Sequence, residues 1–197
     1  MRTEKQELVL VDAQAWREWL REHHNSSDGI WLVQAKKGTV KPTSLTYAQA
    51  LEEALCFGWI DGQARSRDGA TFSQGYSPRR KRSPWSKRNT GIAERLVLEG
   101  KMHESGVAEM DRAKGDGRWA AAYSGPATIE VPPELTAALA ASREATAMFA
   151  TLNSQNRYAI LYRITTAKRA DTRARRIAHF VSMLERGETV YPQKAGR

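Results

Sequence analysis

The sequence predicts an α+β fold, with a small antiparallel sheet and a hairpin in the N-terminal half and a helical C-terminal half. Three observations support this class. An apolar run at residues 30–35 has the length and composition of a strand. Residues 59–77 carry a hairpin pattern. Residues 132–187 show helical periodicity almost throughout, with one expected break near 165–171.

The N-terminal elements follow from local signals. An amphipathic helix is expected at residues 12–24, with Asp12 as its N-cap. The strand at 30–35 comes next. A capping box at residues 46–49 then opens a second helix, which Gly58 ends because glycine favours the conformation that closes a helix.

The hairpin has a predicted register. Asp68-Gly69 is a favoured two-residue hairpin turn. This turn would pair Asp61 with Tyr76, Gln63 with Gln74, and Arg65 with Phe72. Because opposed residues share a face of the sheet, these six side chains are expected to form one polar and aromatic face.

Further helices complete the expected architecture. Asn89 or Ser86 is expected to cap a third helix, and residues 103–114 form a fourth. The helical C-terminal part opens at Pro132-Pro133, because proline suits the first turn of a helix. We expect one domain over residues 1–197, with an α+β core at 1–125 and a helical part at 126–197.

Composition excludes several classes of protein. With 41% hydrophobic residues and six tryptophans the chain is not generally disordered. No apolar run approaches the roughly 18 residues of a membrane span, and the N-terminus lacks the apolar core of a signal peptide. The single cysteine, Cys56, excludes an internal disulfide. We therefore expect a cytoplasmic protein without membrane insertion, whereas the sequence does not indicate an oligomeric state.

The formal charge of +9 is concentrated in two short segments. Residues 76–89, YSPRRKRSPWSKRN, hold six basic residues and no acid. Residues 168–176 hold five basic residues and one acid, and a helical projection places Arg169, Arg173 and Arg176 in a stripe beside the apolar face. Focused positive charge is typical of a surface that binds anions.

The first of these segments is the main candidate site, and its charged part, residues 79–88, is called the basic segment below. Arginine donates in bidentate fashion to phosphate or carboxylate, and the start of the following helix adds backbone donors. The alternative is a solvated run of charge. The predicted anion-binding residues are Asp61, Gln63, Arg79, Arg80, Ser83, Trp85, Ser86, Lys87 and Asn89, with Arg173 and Arg176 from the second segment.

Standard catalytic signatures do not occur in the sequence. There is no phosphate-cradling glycine loop, dinucleotide fingerprint, zinc-protease motif or nucleophile elbow. The histidines lack metal-ligand spacing, so neither a metal nor a cofactor is expected. Cys56 lies at the C-terminal end of its helix, where a thiol is not activated. Asp61 is the best general-base candidate, although an ion pair with Arg65 or with an arginine of the basic segment is the commoner role for such a carboxylate.

Several motifs, taken together and in order, resemble the YdeI/OmpD-associated family. They are CFGWIDGQ (56–63), the segment 76–89, GKM (100–102), DGRWAAAY (116–123) and AKRADTRARRI (167–177). The resemblance extends over essentially the whole chain. It implies a bacteriocin-protection protein linked to resistance against cationic antimicrobial peptides and to an outer-membrane porin. It supplies no catalytic residues.

Three functional hypotheses follow. The first is a cytoplasmic stress or peptide-resistance protein that acts by binding a phosphate- or carboxylate-bearing anion. The second is a nucleic-acid-binding protein that uses the same basic residues and stacks bases on Trp85 or Tyr76. The third is an enzyme acting on a phosphorylated or carboxylated small molecule, with Asp61 as acid or base. A fourth, structural alternative is an oligomeric scaffold whose arginines are satisfied by its own acids.

Overall fold

The computed structural model describes residues 5–193. Contacts divide the chain into two compact units, one ending at Ala122 and the other beginning at Tyr123. Within the described residues, the N-terminal unit combines a four-stranded sheet with helices and the C-terminal unit is helical. The predicted α+β class is confirmed.

The N-terminal unit contains strands β1 (Glu7–Leu8), β2 (Ile30–Ala35), β3 (Trp59–Ser66) and β4 (Thr71–Pro78), and helices α1 (Ala13–His23), α2 (Tyr47–Cys56), α3 (Lys87–Leu98) and α4 (Glu104–Gly115). The C-terminal unit contains helices α5 (Pro133–Ala140), α6 (Arg143–Thr151), α7 (Ser154–Thr165) and α8 (Ala170–Glu185).

Local capping explains where the N-terminal helices begin. The side chain of Asp12 accepts a hydrogen bond from the Ala15 amide at 2.9 Å, as predicted for α1. Thr46 and Gln49 form the predicted capping box of α2. Of the two candidate caps for α3, Ser86 is the one that accepts from the Asn89 amide.

The sheet has the strand order β1-β2-β4-β3. Strands β2, β4 and β3 are antiparallel, as expected, whereas the two-residue β1 pairs in parallel with β2. Helices α1 and α2 contribute Trp16, Leu20, Leu51 and Leu55 to one buried core with Tyr76 of β4. Burial of these large side chains is the main stabilising contribution to this unit.

The predicted hairpin register is correct at one end and wrong at the other. Asp61 pairs with Tyr76, but a bulge between Asp61 and Ala64 shifts the remaining partners by one residue. The observed pairs are then Ala64 with Gln74, Arg65 with Ser73, and Ser66 with Phe72.

The shift arises from the connection, which spans residues 67–70 instead of two residues. The Asp68 carboxylate accepts hydrogen bonds from the amides of Ala70 and Thr71, and these bonds hold the longer loop. Arg65 therefore lies on the face opposite the predicted one, where its guanidinium carbon lies 3.6 Å from the centroid of the Trp31 ring.

The C-terminal unit has more helix breaks than expected. The predicted break near residues 165–171 is present between α7 and α8. Two further breaks occur where Ser142 and Asn153 cap α6 and α7 by accepting bonds from backbone amides. Both residues are strong N-cap types, so the sequence carried this signal.

Three further expectations concern features outside the candidate site. Cys56 is buried, and burial raises the pKa of its thiol to about 11, so it stays protonated at neutral pH. Between residues 5 and 193 no helix is both long and apolar enough to cross a bilayer. The same residues contain no His, Cys, Asp and Glu group arranged to hold a metal ion.

His103 is expected to make the N-terminal unit sensitive to acid. Its Nδ1 atom accepts from the Ser105 amide at the start of α4, and the His24 ring lies 4.9 Å away. Burial, reinforced by His24, lowers the pKa of His103 below its ordinary 6.5. The unfolded chain therefore binds this proton at higher pH than the folded chain, so stability should decrease as pH falls below about 6.5.

This effect can be measured by urea unfolding followed by tryptophan fluorescence, because all six tryptophans precede Tyr123. His103→Asn keeps a side-chain acceptor but does not titrate, so it should flatten the loss of stability between pH 7 and pH 5. His179→Asn, an exposed site in the C-terminal unit, is the control. An unchanged pH slope in His103→Asn would disprove this role.

Candidate anion-binding site

Residues 79–86 of the basic segment form an ordered loop that is held by an internal stack. Arg79 is buried, and its guanidinium carbon lies 3.5 Å from the centroid of the Trp85 ring. Arg79 also donates from Nη1 to the Pro84 carbonyl at 3.1 Å, and its amide donates to the Gly58 carbonyl. Trp85 is 1% exposed and packs on Trp119. These contacts fix both ends of the loop to the core.

A second anchor comes from the turn after α4. Arg118 donates to the Ser83 carbonyl at 3.0 Å and to the Glu109 carboxylate at 3.0 Å. Glu109 is itself buried. Burial disfavours the charge on Arg118, but its bonds to Asp116 and Glu109 outweigh that effect and raise its pKa. Arg118 therefore remains charged and holds the middle of the loop.

The remaining basic side chains of the segment form a positive surface. They are exposed and comprise Arg80, Lys81, Arg82, Lys87 and Arg88. None of the five forms an ion pair with an acid in the described part of the chain, whereas many arginines elsewhere do, such as Arg17 with Glu53 and Arg95 with Glu52. Their charge is thus available to an external anion.

The backbone adds to this surface at the start of α3. Ser86 is the N-cap, and Lys87 and Arg88 are the first two residues of a helix of 12 residues. The first-turn amides of a helix have no partner within the helix, and the helix dipole there favours negative charge. Positive side chains and a helix N-terminus therefore coincide. Asn89 is buried in the first turn.

Asp61 is connected to the basic segment through a tyrosine. Its Oδ2 atom accepts from the Tyr47 hydroxyl at 2.9 Å, and the same hydroxyl oxygen accepts from Nη1 of Arg88 at 3.3 Å. Burial, followed by the charge of Asp61, raises the pKa of Tyr47, so its hydroxyl stays protonated and donates to the carboxylate. Asp61 therefore forms neither of the two predicted ion pairs, with Arg65 or with an arginine of the basic segment, among the described residues; Tyr47 instead connects it to Arg88.

The Tyr47 hydroxyl occupies only one of the two carboxylate oxygens of Asp61. Its Oδ1 atom accepts no hydrogen bond from any residue within 5–193, so it can accept one from a ligand. Gln63, the other predicted hairpin residue, is exposed and lies at the bulge. Its predicted place opposite Gln74 is occupied by Ala64.

Two aromatic rings considered for base stacking lie inside the protein. Tyr76 is 0% exposed, and its hydroxyl accepts from Gln34 at 2.8 Å. Trp85 is covered by Arg79 and Trp119. Neither ring presents a face on which a base could stack. Trp85 instead positions the loop that carries the exposed cations.

Arg173 and Arg176, the predicted contributors from the second basic segment, belong to the C-terminal unit. Arg173 lies 3.6 Å from Glu134 and donates to the Ala167 carbonyl. Arg176 donates to the Arg163 carbonyl. Their observed contacts connect α8 to α5 and α7, so the candidate site is built here from the N-terminal unit alone.

Comparison with known proteins gives two family matches. A domain of unknown function, DUF8412, matches residues 8–109. The family described as "Bacteriocin-protection, YdeI or OmpD-Associated" matches residues 128–187. The YdeI/OmpD resemblance is thus confirmed through the C-terminal part, whereas the motifs at 56–63 and 76–89 lie in the domain of unknown function. No curated protein and no solved structure shows significant similarity to the chain.

Proposed function

The chain belongs to the DUF8412 family and carries a YdeI/OmpD-associated region. Because the second family is described as bacteriocin-protection proteins, we propose that this chain is a cytoplasmic bacteriocin-protection protein that binds an anion. The ligand bears phosphate or carboxylate groups and binds at the basic segment. The proposal rests on one observation: a loop with buried anchors and the first turn of α3 together carry five exposed cations that have no acidic partners within residues 5–193.

The rigidity of the loop favours binding. Arg79, Trp85 and Arg118 already order the backbone of the segment, so a ligand does not have to order it on binding. Arg80 and Arg88 each offer the planar fork of donors that matches phosphate and carboxylate oxygens. Lys87 and the first amides of α3 add further donors.

The charge of the protein also indicates how protection could operate. A chain with a formal charge of +9 repels cationic peptides, so its basic surface is unsuited to capturing them. The proposed route is indirect, through an anionic metabolite or partner.

Removal of two exposed arginines tests the proposal. The double variant Arg80→Ala, Arg88→Ala should weaken binding of inorganic pyrophosphate by roughly tenfold or more, because charge-assisted hydrogen bonds are lost. Isothermal titration calorimetry measures this change. The double variant Arg169→Ala, Arg186→Ala is the matched control, since it removes the same charge from exposed arginines already paired with Asp171 and Glu188.

The proposal fails if wild-type protein binds neither pyrophosphate nor citrate, or if both double variants lose affinity equally. Titration of a single-stranded oligonucleotide at increasing salt concentration distinguishes nucleic-acid binding from binding of a small anion. A steep decrease in affinity would identify a polynucleotide as the ligand; the slope of log affinity against log salt concentration is then about −0.7 for each phosphate contacted.

A further inference from the structure

The C-terminal unit contains a cavity of about 570 Å³ along one face of α7. This volume lies within the range of roughly 300–1,000 Å³ typical of ligand pockets. Three of the side chains that line it are tyrosines, Tyr158, Tyr162 and Tyr191, and a fourth is Arg163. Among residues 5–193 no carboxylate lines it, so the described lining combines aromatic walls with one positive group.

The walls of the cavity are held in place by contacts within the unit. Tyr158 and Tyr162 lie one helical turn apart, with ring centroids 5.6 Å from each other, and Tyr123 packs edge-on against Tyr162 at 5.2 Å. The backbone of Tyr191 is bound on both sides by the fully buried Asn156, with hydrogen bonds of 2.8 and 3.0 Å. The tyrosines are therefore arranged before any ligand binds.

Arg163 is positioned but only partly used. It donates from Nη1 to the Ala159 carbonyl at 3.1 Å and from Nη2 to the Tyr191 hydroxyl at 3.4 Å. A guanidinium has five N–H donors, and no other described residue accepts from this one. Burial also raises the pKa of Tyr158 to about 12, so this wall remains uncharged at neutral pH. Within the described part of the chain, Arg163 is the one charged side chain that lines the cavity.

We propose that this cavity binds a small ligand with one aromatic ring and one anionic group, that is, an aromatic carboxylate or a close equivalent. The ring packs against the tyrosine faces, which favour offset or edge-on contact with another aromatic ring. The anion accepts hydrogen bonds from the remaining N–H groups of Arg163. The site is independent of the basic segment.

Benzoate is the probe, and two compounds separate the contributions: benzamide has the ring without the charge, and acetate has the charge without the ring. Saturation-transfer NMR should show saturable binding of benzoate at millimolar concentration or below, and weaker binding of both others. Arg163→Met should reduce benzoate affinity roughly tenfold to a hundredfold. Arg186→Met removes the same charge from an exposed arginine that does not line the cavity, and should leave affinity unchanged.

A second variant covers the case in which Arg163→Met does not fold. Tyr191→Leu removes one aromatic wall but retains the backbone bonds to Asn156, and it should also weaken benzoate binding. The double variant Arg80→Ala, Arg88→Ala should retain benzoate binding. That result would show that the basic segment is not the benzoate site. Equal binding of benzoate and acetate, or unchanged affinity in Tyr191→Leu, would overturn the proposal.

Discussion

Replacement of Trp85 by alanine is expected to lower the free energy of unfolding of the N-terminal unit by about 3–5 kcal/mol, the usual cost of truncating a buried tryptophan. The ring lies between the guanidinium of Arg79 and the ring of Trp119. Its loss removes apolar burial and the stacking partner of a buried cation together. Urea unfolding followed by fluorescence of the five remaining tryptophans measures the change.

The same variant should also reduce pyrophosphate binding, because the loop that carries Arg80 and leads into α3 loses its main anchor. Trp85→Phe is the graded control, since it keeps an aromatic face for Arg79 and should cost less stability. A loss of less than about 0.5 kcal/mol in Trp85→Ala, the usual range for surface substitutions, would show that the ring does not anchor the loop.

Replacement of Glu109 by alanine should destabilise the same unit by about 3 kcal/mol, because removing one member of a buried ion pair leaves the other charge uncompensated. Glu109 binds Arg112 and Arg118, and Arg118 holds the Ser83 carbonyl of the basic segment. Asp116 remains beside Arg118, which keeps the expected loss at the lower end for buried pairs.

Unfolding experiments at pH 7 check this prediction against a surface pair. Glu99→Ala removes a carboxylate from the exposed pair with Arg95 and should have little effect on stability. Glu109→Gln retains an oxygen acceptor for Arg118, so its loss in free energy of unfolding should lie between those of Glu109→Ala and Glu99→Ala. Equal stability of Glu109→Ala and Glu99→Ala would contradict a structural role for the buried pair.

The elements with local chemical signals were predictable from the sequence. The N-cap at Asp12 and the capping box at Thr46 are each complete within four residues, and both are observed. Pro84 and Trp85, a rigid and a large apolar residue within the run of charge, favour an ordered basic segment over a solvated one. The hairpin register was not predictable from its turn dipeptide, because the Asp68 side chain holds a longer loop and a bulge follows.

The parts of the site that were missed depend on contacts between residues distant in sequence. Tyr47 reaches Asp61 only because α2 packs on the sheet, and no local pattern pairs the two. Arg118 reaches the Ser83 carbonyl from the turn after α4. Tertiary packing determines such contacts, and a single sequence does not reveal them.

Anion binding at the basic segment is tested at residue level by a pyrophosphate titration followed through the backbone amide resonances of the intact protein. We expect saturable shifts concentrated at residues 80–88, including Lys87 and Arg88 in the first turn of α3, with only small shifts in the C-terminal unit. Shifts that do not saturate, or that concentrate around Arg173 and Arg176 instead, would contradict an anion-binding site on the basic segment.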